Sequence, residues 1–328
     1  MSLLERFRDV RHRVSSRIPL AAAALAIVIC FAKPGLQLDR PRVDHVVVLD
    51  VTQSMNVQDA LLDGRPIARL ALAKHALHLT LDALPCGSRL GLAIFTEYRS
   101  YLLFTPVEVC ANRAELRRTL AGIDGRMAWS GNSEIAKGLH SAIGIAKLLP
   151  DKPSLVFVTD GHEAPPLNPS YRPAFDDVPG EVEGLVVGVG ALMPSPIPKA
   201  DPQGRPLGFW AADEVMQTDP RSAASAGGTV FGSDATLGAT PGREHLSSLH
   251  EAYLRLLAGE NGMRFHRLQE PAALAAAMQA RNFARDVPTR VDMRPALSAV
   301  ALVCLLFWWW PRRGAGPQPL PVTHHRSP

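Results

Sequence analysis

The chain has 328 residues, with 35 Lys and Arg against 31 Asp and Glu, for a formal net charge of +4 at pH 7. That length suits one large α/β domain with appendages, and so small a surplus, with short basic runs at both ends, leaves no nucleic-acid footprint. No Walker-type loop is present, and Gly188-x-Gly190 lacks the third glycine of a dinucleotide-binding turn.

Residues 1–17 hold Arg6, Arg8, Arg11, Arg13 and Arg17 against Glu5 and Asp9, and residues 18–32 then carry no charged side chain. This apolar run is shorter than the ~20 residues that span a bilayer, but a snorkelling Lys33 and Gly35-Leu36 extend it. We read 18–36 as an uncleaved signal anchor, its arginines keeping residues 1–17 cytoplasmic. A cleavable signal peptide is the alternative, against which Cys30-Phe31-Ala32 makes a poor cleavage site. At the other end, residues 296–310 are apolar, close on Trp308, Trp309 and Trp310, and run into Arg312 and Arg313. Tryptophans at the edge of an apolar run followed by arginines predict a second transmembrane helix over 293–311 with its end in the cytoplasm. A buried C-terminal helix is the alternative. The tail 312–328, Pro/Gly-rich and with only His324 and His325 as possible ligands, is expected to be disordered. Residues 37–292 are then expected outside the cytoplasm.

Within that region VVVLDVTQSMNVQDA (46–60) opens on a continuous β-branched run, the pattern of a parallel strand buried on both faces. Ligands of open α/β sheets gather at the carboxyl ends of strands, where Asp50, Thr52 and Ser54 fall. Three oxygen-bearing side chains there suit a hard cation; a helix cap with a strand-ending aspartate is the alternative. Gly64-Arg65-Pro66 then punctuates the chain. A helix is expected with Pro66 at its first position and Ile67, Leu70, Leu77, Leu81 and Leu84 on one face. Residues 89–95 and 101–109 read as strands joined by a turn at 96–100, the first being the expected chain reversal that gives the sheet one antiparallel edge. If this hairpin pivots about Tyr98, facing positions sum to about 196 and bring Cys86 opposite Cys110. A disulfide is expected there, with two buried thiols as the alternative.

Residues 113–120 form a short expected helix, 122–132 a glycine-bearing loop, and 134–149 a strong amphipathic helix with Ser133 at its N-cap position. A buried strand over 154–159 delivers Asp160 and Gly161, and another covers 185–189. Residues 191–243, rich in Pro, Gly, Ser and Ala, read as an insertion with an irregular hairpin. A helix over 246–257, a strand over 263–268 and a helix over 271–281 complete the domain. His75, His78 and His140 fall on helices as ordinary positions, and His162 on a solvent-exposed loop.

Three loops therefore share one sheet edge, carrying Asp50-x-Thr52-x-Ser54, Gly131-Asn132-Ser133 and Thr159-Asp160-Gly161. This resembles the von Willebrand factor A (VWA) domain with its metal-ion-dependent adhesion site: D-x-S-x-S, a threonine in a second loop and an aspartate in a third. The resemblance covers about residues 43–282. Thr52 replaces the first serine and Ser133 the threonine, both keeping a hydroxyl; Ser130 is the substitute if the second loop is aligned differently. The fold implied is a doubly wound, mostly parallel sheet flanked by helices. Anchor, outer domain and C-terminal membrane helix together are similar to bacterial BatA/BatB-type proteins. The stretches DVTQSMNVQD, PCGSRLGLAIFTEYRS and VEVC are most similar to MxaL-type accessory proteins of periplasmic methanol dehydrogenase.

The resemblance implies an inner-membrane protein with its main domain in the periplasm, not an enzyme, acting in the assembly or calcium loading of that dehydrogenase. Its implied partners are the dehydrogenase or fellow accessory proteins, membrane lipid, and a MoxR-type ATPase. A BatA/BatB-type scaffold in stress tolerance or a MoxR-linked chaperone system is the alternative. It further implies that Thr52 or Ser54 and Ser133 ligate the ion directly while Asp50 and Asp160 act mainly through water. Neutral ligands leave the ion hungry for an anionic oxygen, which a partner's Asp or Glu supplies. Mg²⁺ or Mn²⁺ fits so sparse a set better than Ca²⁺, the remaining alternative. A phosphatase-like reading with Asp50 as nucleophile lacks the second carboxylate, because Thr52 stands in its place.

Overall fold

Val46, Val47, Val48 and Leu49 are all fully buried, because strand β1 (Gly35–Asp50) runs through the middle of a sheet covered on both faces. The structure, a computed structural model, describes residues 3–167, 173–215 and 243–309. Trp310, the expected disordered tail with His324 and His325, and residues 216–242 of the expected insertion lie outside the described residues. Two compact units are distinguished, Pro41–Asp286 and the paired chain ends, Met1–Arg40 with Val287–Pro328.

In the first unit, β2 (Ala60–Leu62) and β3 (Arg65–Ile67) form a small hairpin ahead of α2 (Arg69–Ala83), followed by α3 (Arg113–Gly122), α4 (Ile135–Leu148), α5 (Glu251–Glu260) and α6 (Ala273–Met278); α1 (Leu3–Phe31) and α7 (Arg294–Trp309) belong to the second unit. The remaining strands are β4 (Arg89–Thr96), β5 (Arg99–Glu108), β6 (Ser154–Thr159), β7 (Gly184–Val189), β8 (Ser195–Pro196), β9 (Pro198–Ala200), β10 (Pro206–Phe209), β11 (Leu246–Ser247), β12 (Arg264–Leu268) and β13 (Ala284–Asp292). The main sheet has the order β12-β7-β6-β1-β4-β5, with β13 also paired to β1. Residue alternation along β1 builds two cores. Val47 and Leu49 meet Leu70, Leu77 and Leu81 of α2, whereas Val46 and Val48 meet Ile135, Leu139 and Ile143 of α4.

Several expectations are corrected. The antiparallel edge is β5, not the first strand of the hairpin: β4 is parallel to β1 and buried along almost its whole length, while β5 alternates toward exposure. Pro66 lies in β3 and α2 starts at Arg69, since Gly64, at φ +75°, turns the chain into a hairpin first. Leu246 and Ser247 pair with β8, so the helix expected from 246 begins at Glu251. The β4–β5 register also drifts: pairs near the turn sum to 195 (Phe95↔Ser100), and two irregularities carry this to 197 at Arg89↔Glu108. Cys86 and Cys110 end up bonded at the open end of the hairpin, with Cα atoms 5.3 Å apart.

Gly138 fixes how α4 lies on the sheet. A Cβ there would fall 2.1 Å from the ring of Phe95, so the helix backbone rests directly on that ring. In the second unit, α1 packs against α7 through Ala23, Ala26 and Ala301, with Cys304 alongside. Ile18, Leu25, Val28, Phe31, Val303, Phe307 and Trp309 remain exposed. Among the described residues no helix is long and apolar enough to cross a membrane; the segment expected over 293–311 runs past their end at Trp309.

Candidate metal centre

Parallel pairing of β1 with β4 and β6 puts their carboxyl ends at one edge, Asp50 beside Phe95 and Leu49 beside Val158. Asp50 is wholly buried. Its Oδ1 accepts hydrogen bonds from the Thr52 backbone N–H (2.9 Å) and the Thr52 hydroxyl (2.6 Å), and its Oδ2 from the Thr159 hydroxyl (2.6 Å). Asp160, also wholly buried, accepts from Arg69 Nη1 (2.5 Å) and Ser247 Oγ (3.1 Å) on Oδ2, and from the His162 N–H (3.0 Å) on Oδ1.

A hydroxyl whose proton is given to a carboxylate presents its lone pairs elsewhere. Thr52 is so arranged, and the Ser54 oxygen lies 3.4 Å from its own. Ser133 completes the set. It is 2% exposed and its Oγ has no hydrogen-bond partner. Buried polar atoms are rarely left so. The backbone of Ser133 is tied down on two sides: its N–H donates to Ala164 O (2.7 Å) and its carbonyl accepts from the Ala164 N–H, while the Glu134 N–H donates to Glu97 O. The side-chain cap expected of Ser133 is absent. The helix N-terminus is instead served from another loop, Glu163 Oε1 accepting from the Ala136 N–H. Ser130 is already engaged, its Oγ accepting from the Asn132 N–H, which leaves Ser133 as the second-loop ligand candidate.

All five residues picked from the sequence, Asp50, Thr52, Ser54, Ser133 and Asp160, thus stand together, and the donor set is one of neutral hydroxyls backed by carboxylates. Such hard oxygens fit a small divalent cation. Among the described residues, a grouping of Cys, His and carboxylate atoms close enough for a metal occurs at Cys86, Glu108 and Cys110, but those sulfurs are joined in the disulfide.

Burial and the nearby Asp160 charge push the Asp50 carboxyl up to about 7. Asp160 is held below the ordinary carboxylate range, with Arg69 opposing its desolvation. His162 is only 4% exposed and burial lowers its ring to about 4, which corrects the expectation of a solvent-exposed loop residue. Burial likewise raises Glu163 to about 7, against the Tyr253 hydroxyl and the α4 N–H groups that favour its charge. A carboxyl whose folded pKa is raised contributes stability present below its unfolded value near 4.5 and lost as pH rises through 7. With chelator present, the stability of Glu163→Gln relative to wild type is therefore expected to rise by about 3 kcal/mol between pH 4.5 and 7, the buried histidines with lowered pKa values contributing equally to both. Thermal melts across this range check it; an unchanged slope in the variant contradicts the assignment.

The sequence did not single out the surroundings. Arg69 drew no notice in the sequence, yet it is fully buried, and its partners lie 10, 91 and 178 residues away at Asp59, Asp160 and Ser247. Nor did the insertion look like part of the site. Its Ile197 and Trp210, with Glu244 just beyond it, join Thr52, Ser54, Ser133 and His162 around a pocket of about 210 Å³.

Residues 45–162 match the von Willebrand factor type A domain family. No curated protein matches the chain. Among solved structures, the chain is similar to an aerotolerance-related membrane protein from Bacteroides fragilis, at 17% identity over 72% of this chain and 96% of that one, with a TM-score of 0.46. It is also similar to an uncharacterized membrane-spanning protein from Vibrio fischeri (17%, 73% and 98%, TM-score 0.27). A third is the manganese-loaded TRAP protein of Plasmodium vivax (12%, 79% and 81%, TM-score 0.34). The matched stretch, residues 45–162, contains all three loops.

Proposed function

We propose that this is a membrane-anchored protein whose VWA domain lies in the periplasm and grips an acidic residue of another protein through a divalent cation, Mg²⁺ or Mn²⁺. The observation that carries the reading is the partnerless, buried hydroxyl of Ser133 in one pocket with Ser54 and with Thr52, whose proton faces Asp50. Thr52, Ser54 and Ser133 would hold the ion; when bound, it supplies an electrophilic centre for a carboxylate. A pocket of about 210 Å³ is small beside the roughly 300–1,000 Å³ of small-molecule sites, and it suits a single inserted side chain. Anchoring is supported by the α1–α7 pair, small residues at its contact and large apolar ones outward, the pattern of helices packed in lipid. The resemblance to MxaL-type proteins makes methanol dehydrogenase and its accessory proteins the first partners to examine, with calcium as a cargo, and a MoxR-type ATPase the first on the cytoplasmic side.

The test is capture of partners from solubilised membranes with the full-length chain, with and without EDTA. Capture is expected with Mg²⁺ and not with EDTA. Ser133→Ala deletes a hydroxyl that makes no bond, so it should melt within about 1 kcal/mol of wild type while losing roughly tenfold or more in Mn²⁺ affinity and all chelator-sensitive capture. A Ser133→Ala protein that keeps both ion and partner contradicts the reading.

A further inference from the structure

Arg69 takes no part in the ligand set derived above, yet its guanidinium is wholly buried and all its donors are engaged. Nε and Nη2 grip both oxygens of Asp59 (2.8 and 2.5 Å), Nη2 also reaches Ser247 O (3.0 Å), and Nη1 serves Asp160 Oδ2 (2.5 Å), Ser247 Oγ (2.6 Å) and Ser54 O (3.3 Å). Gly190, at φ +122°, presses its backbone against it: a Cβ there would lie 2.5 Å from Nε. The group has no room to swing away, and a lysine could not fill so many directions from one nitrogen.

The consequence falls on Asp160. A carboxylate offers about four lone-pair directions. On Asp160, Arg69 and Ser247 take both directions of Oδ2, and the His162 N–H takes one of Oδ1. The guanidinium thus both occupies Oδ2 and offsets the charge of Asp160. Asp50 also has three donors, but all are neutral, and Oδ2 keeps a direction to spare. We infer that Arg69 is a fixed internal cation that neutralises Asp160 and holds its Oδ2 away from the coordination shell, so that a bound divalent ion stays positive enough to need a partner's carboxylate. This rests on the ion site proposed above and adds a residue that sets its strength and its demand for an outside anion.

Mn²⁺ binding to the purified full-length chain, followed by electron paramagnetic resonance, tests it, with glutarate as the carboxylate probe. Arg69→Met frees Asp160 to ligate directly: Mn²⁺ should bind at least tenfold more tightly, carry one fewer water by ¹⁷O-water ENDOR, and hold glutarate at least fivefold more weakly. Asp59→Asn leaves the guanidinium less compensated, and Mn²⁺ should bind about tenfold more weakly. The opposite signs matter, because general damage to the site weakens both variants. Mn²⁺ binding by a folded Arg69→Met protein that is equal to or weaker than wild type overturns the inference, as does an unchanged affinity in Asp59→Asn. Should Arg69→Met lose its near-ultraviolet circular dichroism, Asp59→Asn decides alone: natively folded and weaker supports the inference, unchanged overturns it. A wild-type chain that binds no Mn²⁺ overturns the ion site as well; one that binds it without these opposite shifts overturns the role of Arg69 only.

Discussion

Asp50→Asn should lose Mn²⁺ affinity by about 100-fold, at the upper end of what outer-shell carboxylates contribute. The asparagine keeps the shape but offers one acceptor oxygen where Asp50 Oδ1 and Oδ2 now serve the Thr52 and Thr159 hydroxyls. One hydroxyl must then turn, and the lone pairs meant for the ion turn with it. The carboxyl's upward shift to about 7 gives the effect a pH signature. Below that value a proton competes with the ion, so wild-type affinity should fall as pH drops through 7, and the variant's residual binding should not. Thermal melts offer a second readout: Mg²⁺ at 100 times its Kd should stabilise wild type by about 2.7 kcal/mol and Asp50→Asn hardly at all. A variant that responds to Mg²⁺ as wild type does would remove Asp50 from the site.

Replacing both Cys86 and Cys110 by serine should cost about 3 kcal/mol, the chain-entropy value for a loop of this size, with the two cysteines 24 residues apart in sequence. For a domain of this length that lowers the melting temperature by roughly 10 °C. The bond closes the open end of the β4–β5 hairpin, where Val109 N–H donates to Ser88 O and the edge strand would otherwise fray. The ion loops lie at the opposite end of β4, beyond Phe95, so Mn²⁺ affinity should be unchanged. Melts with and without reductant check both statements; a double variant that melts within 2 °C of wild type refutes the first.

The parts of the site announced by local pattern were legible in the sequence. Buried runs ending in Asp50 and Asp160 mark strand ends, and hydroxyls at alternate positions mark Thr52 and Ser54. What stayed hidden depends on distant pairing. Arg69 is tolerable in the interior only because Asp59, Asp160 and Ser247 converge on it, which no local window reveals. The same holds for Leu246 and Ser247, whose helical spacing gives way to pairing with β8. The pairing of Cys86 with Cys110 was legible because their sum of 196 lies between the 195 of the pairs at the turn and the 197 at Arg89↔Glu108, within reach of a disulfide on either register.

The contact between Gly138 and Phe95 carries a consequence for how this domain tolerates change. The carbonyl of Phe95 accepts from the Val51 N–H at the root of the first loop, while its ring is the seat of α4, which begins beside Ser133. One aromatic residue therefore couples the position of Thr52 to that of Ser133. Trimming the ring of Phe95 should loosen the grip on the cation from a distance, without touching any residue that would hold it.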